Sequence, residues 1–226
     1  LLAQVDASIG GKNGVNLDGN KNIIGVFNQP EFVLCDPELL SSLPDREFRA
    51  GLAEAVKAAV IGDGALFELL ERSSFGELRG DAGLLGRVVE SAVGVKAAIV
   101  GRDEHEAGER RKLNLGHTLA HAIEKCSDRM NHGEAVAVGT VLVADAAVRL
   151  GVLAPPVRDR IRALLVRLGF AVEPPVAVGE LLQQVGKDKK SEAGILDVVF
   201  PTGIGSCEVR PMAREAFAAL FDAENV

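Results

Sequence analysis

From Leu43 onward the apolar positions recur at helical spacing. Pro44-Asp45 form a start signal, and Phe48, Leu52, Val56, Ala59 and Val60 share one face. Gly51, Glu54 and Lys57 fall three apart on a second, polar face. A Glu–Lys pair at that spacing is ordinarily solvated, and gains interest only if its face looks onto other chemistry. Asp81 is the predicted cap of a helix reaching about Gly101, with the stripe Leu85, Val89, Ala92 and Ile99. Lys96 sits inside that stripe, where a lysine either snorkels to water or serves a site. Residues 102–106, Arg-Asp-Glu-His-Glu, read as a solvated loop. A helix rich in Ala and Val is predicted from near Glu134 to Leu150 and reads as central and buried. Gly151 ends it, Pro155-Pro156 open another reaching about Leu168, and Pro174-Pro175 lead to a short helix at 178–185. An amphipathic helix over about 212–222 completes the pattern.

Extended stretches are few and short. Residues 1–5 read as the end of a buried strand or the lead into one, and residues 23–27 and 32–35 as strands either side of the Gln29-Pro30 turn. Residues 196–200 and 206–209, joined through Thr202-Gly203-Ile204-Gly205, read as a β-hairpin. The predicted fold class is therefore mainly α with minor β.

Composition narrows the function classes. A net charge of −7 argues against a general nucleic-acid binder, and the absence of Trp and Tyr removes the usual stacking platforms. Cys35, Cys126 and Cys207 are odd in number and far apart, which predicts reduced thiols in a cytoplasmic protein rather than a disulfide framework. No apolar run approaches the roughly 18 residues of a membrane span, and no signal-peptide pattern precedes the first element.

Three of the four histidines lie between Arg110 and Glu134. His117 and His121 are four apart, so a helix would stack them on one face, with Asn114 and Glu124 on the same face. His132 opens His-Gly-Glu, where glycine reads as a turn into the helix beginning near Glu134. Two imidazoles one turn apart, a third returning from the next segment and a carboxylate suit a metal site. A polar helix face with unremarkable histidines has the same spacing. Upstream, Gly10-Gly11-Lys12-Asn13-Gly14 would let backbone approach an anion beside an ammonium, or form a solvated turn. Asp18 to Asn22 carry a second lysine, Lys21, and residues 186–190 form a basic cluster.

In order and spacing, the segments VDASIGGKNGVN, Lys21-Asn22 followed by IIGVFNQP, LPDREFRAGLAEAVK, DEHEAGERRKLNLGHTLAHAIE, HGEAVAVG and the later DKK resemble the 3-dehydroquinate synthase family of sugar-phosphate cyclases over essentially the whole chain. The resemblance implies a helical metal- and substrate-binding domain over 43–226, with residues 1–42 as the remnant of an NAD-binding α/β domain and its parallel sheet. It implies Zn2+, or Co2+, held by Glu54, His117 and His132, with His121 facing substrate rather than ligating. Lys57, Lys96, Arg110, Asn114 and His121 match catalytic or substrate-contacting positions. Asp6, Asn22 and Lys189 match substrate-binding positions, and Lys12, Lys21 and Leu39-Leu40-Ser41-Ser42 match nucleotide-binding ones.

The implied activity is a phosphate-eliminating carbon–oxygen lyase that uses NAD and a divalent metal to turn 3-deoxy-D-arabino-heptulosonate 7-phosphate into 3-dehydroquinate, in a cytoplasmic homodimer of the shikimate pathway. The alternatives are a sister cyclase of the 2-deoxy-scyllo-inosose or valiolone type, or a non-catalytic metal-binding remnant. Retention of Arg110, Asn114 and His121 favours the dehydroquinate reading. Departures from the family pattern are Asn13 for Thr, Asn20 for Gly, Ala58 for Tyr and Ala120 for Gly. The chain opens Leu-Leu-Ala-Gln-Val without Met, and nothing in it corresponds to the family's upstream glycine-rich nucleotide loop. The expectation is that this chain alone is inactive.

Overall fold

Side chains that accept hydrogen bonds, placed just ahead of the apolar stripes, set where several helices begin. In the computed structural model, which describes residues 1–17, 20–186 and 194–222, Pro44 precedes α1 (Asp45–Gly62). Asp63 accepts from the Leu66 N–H at 2.9 Å to open α2 (Gly64–Arg72). Ser74 and Glu77 close a capping box on α3 (Phe75–Gly80), and Asp81 accepts from the Leu84 N–H at 2.9 Å at the head of α4 (Ala82–Arg102). Each cap satisfies an N–H that has no partner inside its helix. Then follow α5 (His117–Cys126), α6 (His132–Arg149), α7 (Pro155–Arg167), α8 (Val178–Gly186) and, after the last strands, α9 (Arg214–Ala219).

The centre is a pair of helices. Residues 50–61 of α1 and 135–144 of α6 are all buried, so these two helices are enclosed on every side. They pack on each other, with α4 against α1, and α5 between α6 and α8. Gly133 makes the closest approach possible: a Cβ there would lie 2.3 Å from Ala50 Cα. One apolar cluster runs from Leu1 and Val5 through these helices to Phe217.

The strands form two separate antiparallel ribbons. β1 (Lys12–Leu17) pairs with β2 (Asn20–Phe27), Lys12 opposite Phe27 and Val15 opposite Ile24. β3 (Ile195–Gly203) pairs with β4 (Ser206–Ala213), Ile195 opposite Ala213. The predicted remnant of a parallel sheet is thus corrected: only residues 18–19 separate β1 from β2, too few for the crossover a parallel pair requires.

Four other expectations change. Residues 3–7 form a wide helical turn (Ala3–Ala7), not the end of a strand. Residues 32–35 have no strand partner among the described residues, and Phe32 and Leu34 are 82% and 83% exposed. α6 begins at His132, because Asn131 and Glu134 form a capping box around it and Gly133 belongs to the helix. Asn114 ends a 3-10 turn (Glu109–Asn114) instead of continuing the helix of His117, since Gly116, at φ +75°, turns the chain between them. Lys189 lies outside the described residues. The three cysteines are free thiols, and no helix among the described residues is long and apolar enough to cross a membrane.

Candidate metal centre and anion site

Glu54 comes from the middle of α1, His117 from the first residue of α5, and His132 from the first residue of α6. Their ligating atoms all lie within 4.8 Å of one another. Glu54 Oε1 is 3.1 Å from His132 Nε2 and 3.6 Å from His117 Nε2. Both imidazoles are backed on their other nitrogen. His117 Nδ1 is 3.1 Å from the Leu115 carbonyl oxygen, which only an Nδ1–H can satisfy, and His132 Nδ1 is 3.4 Å from Glu124 Oε1. That leaves the Nε2 positions facing the carboxylate. Two imidazoles and one carboxylate, each imidazole oriented from behind, fit a divalent metal with an open position. His121 stands beside this group, its ring 5.4 Å from that of His117 in an edge-on arrangement.

The electrostatics are those of a buried, charged cluster. Burial would raise the Glu54 carboxyl, but Lys57, His132 and His117 outweigh it and hold the group ionised, well below the usual carboxylate range. Burial, with the Lys57 cation adding to it, pushes His117 down to about 4, so its imidazole is neutral and its lone pair available. His132 is pushed up to about 9 by its contacts with Glu124 and Glu54.

A set of cations adjoins the triad. Lys57 Nζ is 2.5 Å from Glu54 Oε2 and 3.7 Å from Asp6 Oδ1, and its side chain is 3% exposed. Lys96 Nζ reaches the same Asp6 oxygen at 3.0 Å and the Asp6 carbonyl at 2.5 Å. Burial lowers the Lys96 ammonium, while burial of Lys57 is outweighed by Glu54 and Asp6, which raise it. The polar face of α1 therefore looks inward onto the histidines, not to solvent.

The loop between α4 and α5 gathers a second group of charged side chains. Asp103 accepts backbone N–H bonds from Ala107 at 2.9 Å, Gly108 at 2.8 Å and Arg110 at 2.9 Å. This fold-back places Glu106, at φ +61°, so that its carboxylate ion-pairs with Lys12 and accepts from Asn114 Nδ2 at 2.8 Å. Arg110 is 1% exposed, and its guanidinium donates to the carbonyls of Gly10 and Glu104. A charge so enclosed needs acceptors; Arg110 ties the Gly10 turn to this loop, a bond pattern the substrate-contacting expectation did not include.

Of the positions that the resemblance assigns to nucleotide binding, Leu39, Ser41 and Ser42 are exposed, whereas Leu40 is buried in the core. Arg79 donates to the carbonyls of Leu40, Ser41 and Leu43 and so fixes this segment. Lys12 lines an open cleft of about 220 Å³ with Ala7, Ser8, Gly11, Asn13, Asn28 and Pro30. That volume is below the roughly 300–1,000 Å³ of small-molecule sites. Lys21 and Asn22 fall on β2, with their side chains outside the described set.

Residues 51–191 match the family model for the 3-dehydroquinate synthase C-terminal domain, and residues 1–50 match that for the 3-dehydroquinate synthase N-terminal domain. The chain belongs to the 3-dehydroquinate synthase family. It is 46% identical over 223 residues to a 3-dehydroquinate synthase of Pelobacter propionicus, covering 97% of this chain and 62% of that protein. With one from Prochlorococcus marinus the identity is 44%, over 93% of this chain and 58% of the relative. Among solved structures it is similar to 2-epi-5-epi-valiolone synthase from Streptomyces hygroscopicus subsp. jinggangensis with NAD+ and Zn2+ bound, at a TM-score of 0.84 and 27% identity over 97% of this chain and 62% of that one. The chain thus spans about three-fifths of the length of these relatives.

In this 3-dehydroquinate synthase family chain, Glu106 is a residue that the sequence pattern does not single out. It sits in the charge-rich run read as a solvated loop, and a run of charges carries no sign of which member folds inward. The available signal was the Asp103 side chain at the end of a helix, a position from which a short carboxylate can gather the following N–H groups.

Proposed function

We propose that this chain is the metal- and substrate-binding portion of a 3-dehydroquinate synthase, acting on 3-deoxy-D-arabino-heptulosonate 7-phosphate to give 3-dehydroquinate and phosphate in aromatic amino-acid biosynthesis. The observation that carries the reading is the convergence of Glu54, His117 and His132 on one point, with Lys57 and Lys96 beside them. In this proposal Glu54, His117 and His132 hold Zn2+ or Co2+. The bound ion supplies Lewis acidity toward a substrate oxygen, and NAD supplies reversible hydride acceptance.

This chain's own residues bind, orient and neutralise. The substrate carries a carboxylate and a phosphate, so Lys57 and Lys96 meet it as cations already desolvated, with Asp6 keeping both in place. Asn114, held by Glu106, contributes an amide donor to the substrate, and the same carboxylate holds Lys12 on the nucleotide side. His121 adds an imidazole beside His117, positioned to hold or pass a proton. Arg110 fixes the two loops against each other. The same reading assigns Lys12, Lys21 and the 39–42 segment to the nucleotide, and Asn22 and Lys189 to the substrate. A cytoplasmic homodimer belongs to the same reading.

Identity of 46% to a 3-dehydroquinate synthase against 27% to a valiolone synthase favours the dehydroquinate substrate over those of the sister cyclases. The test is phosphate release from 3-deoxy-D-arabino-heptulosonate 7-phosphate with NAD and Zn2+. It is run on this chain alone and on the chain supplemented in trans with the remaining, nucleotide-binding part of the Pelobacter relative. Release in the supplemented reaction supports the assignment; release from a 2-epi-5-epi-valiolone synthase substrate in its place would overturn it.

A further inference from the structure

His132 faces Glu54 and His117 from the very start of a helix, where the capping contacts fix its backbone but do not orient its ring. The backbone is held by Asn131 and Glu134 in the capping box, and by Arg46, which donates to Glu134 Oε1 at 2.9 Å and to the Arg129 carbonyl at 2.6 Å. None of these contacts touches the imidazole. Its two nitrogens are touched instead by Glu54 Oε1, 3.1 Å from Nε2, and by Glu124 Oε1, 3.4 Å from Nδ1. Glu124 lies seven residues after His117 on α5, so the two share a helix face. Its side chain is 13% exposed.

We propose that Glu124 is a positioning residue for the metal centre: it holds the His132 ring so that Nε2 faces Glu54 and His117. The inference rests on the reading of that triad as a metal site. Nδ1 and Nε2 lie on opposite edges of an imidazole, so Glu124 stands behind the ring and Glu54 before it. Glu124 is therefore not a fourth ligand, and it falls outside the group whose donor atoms converge. A carboxylate behind a ligating histidine fixes which nitrogen keeps its proton, stops ring rotation and makes the other nitrogen a better donor. α5 thus has two duties, presenting one ligand at its first residue and aiming the other from two turns later. For His117 the equivalent support is the Leu115 backbone carbonyl, which no substitution removes; for His132 it is a side chain and can be tested.

The probe is Co2+, titrated into the metal-free 226-residue chain and followed by its visible absorption. Glu124→Ala is expected to weaken Co2+ binding about 10–100-fold and to change the shape of the cobalt band. Glu124→Gln, whose amide oxygen still accepts from Nδ1, is expected to recover most of the affinity. Thermal melts of the metal-free variants, within a few degrees of the parent, separate aiming from folding. Nitrogen-15 NMR of the Zn2+-loaded parent, which needs no variant to fold, is expected to show His132 bound through Nε2 with a proton on Nδ1. Co2+ affinity unchanged in Glu124→Ala, or Zn2+ bound through His132 Nδ1, would overturn the proposal. His132→Ala is the control: if it also binds Co2+ like the parent, the triad reading fails, whereas if it alone loses the ion, only the role of Glu124 does.

Discussion

Lys96 Nζ lies 3.0 Å from Asp6 Oδ1 and 2.5 Å from the Asp6 carbonyl oxygen, so a lysine on an otherwise apolar helix stripe is joined to the wide turn that opens the chain. Asp6 also faces Lys57 at 3.7 Å and is about a quarter exposed. Removing the Lys96 charge therefore does not leave a stranded carboxylate. Cutting one partner out of a fully buried pair costs about 3–5 kcal/mol; here Lys96→Met is expected to change stability by only about 1 kcal/mol, read by urea unfolding. In the complete enzyme the same substitution is expected to abolish turnover. Activity intact with stability raised would mean that Lys96 serves neither substrate nor fold.

Gly133 sets how closely the first turn of α6 sits on α1. A Cβ would meet Ala50 Cα at 2.3 Å and its carbonyl oxygen at 2.4 Å, both main-chain atoms that cannot swing aside. Gly133→Ala is expected to destabilise the chain by about 1–3 kcal/mol. Because the same contact brings His132 to Glu54, metal affinity is expected to fall as well. Calorimetry with and without Zn2+ reads both effects.

Asp103 predicts a pH dependence. Its carboxylate is held below the usual range by the Arg110 and Gly108 N–H groups and, after a smaller opposing effect of burial, by that of Ala107. A folded-state value below the unfolded one contributes stability that is complete above the unfolded value of about 3.9. It is lost as pH falls through the folded value. Asp103→Asn is expected to lower the melting temperature at pH 7 and to flatten its fall below about pH 4. An unchanged acid limb would remove Asp103 as the organiser of the Glu106 loop.

Much of the helical frame is legible in the sequence because it depends on local rules. Asp81 before a stripe of period 3.6 gives the start of α4, and Pro155-Pro156 that of α7. The strand misreading at 32–35 has an equally physical cause: apolar residues mark what would be covered, not what covers it, and Phe32 and Leu34 are exposed among the described residues. The site is legible only through the family resemblance. Glu54 and Lys57 have the same spacing whether solvated or enclosed, and only the packing of α6 on α1 decides that they are enclosed. Spacing alone makes His121 the natural partner of His117, whereas the fold brings His132, from another helix, to Glu54. The Arg110 and Glu106 contacts depend on a loop fold-back that no periodicity encodes.

The isolated chain is expected to show no phosphate release with metal, NAD and substrate. Under the proposed function the reaction begins with hydride transfer to NAD, and the cleft of about 220 Å³ beside Lys12 is smaller than the roughly 300–1,000 Å³ of small-molecule sites. Turnover by the chain alone at rates usual for enzymes, on the order of 1–10³ per second, would show that these residues suffice.

The central claim is that Glu54, His117 and His132, and not His121, hold one divalent ion. The most direct measurement is metal content per chain, by elemental analysis after equilibration with Zn2+, for the parent and for Glu54→Ala, His117→Ala, His132→Ala and His121→Ala. The account predicts one ion per chain in the parent and in His121→Ala, and marked loss in the other three. Loss of the ion in His121→Ala with retention in His132→Ala would contradict it.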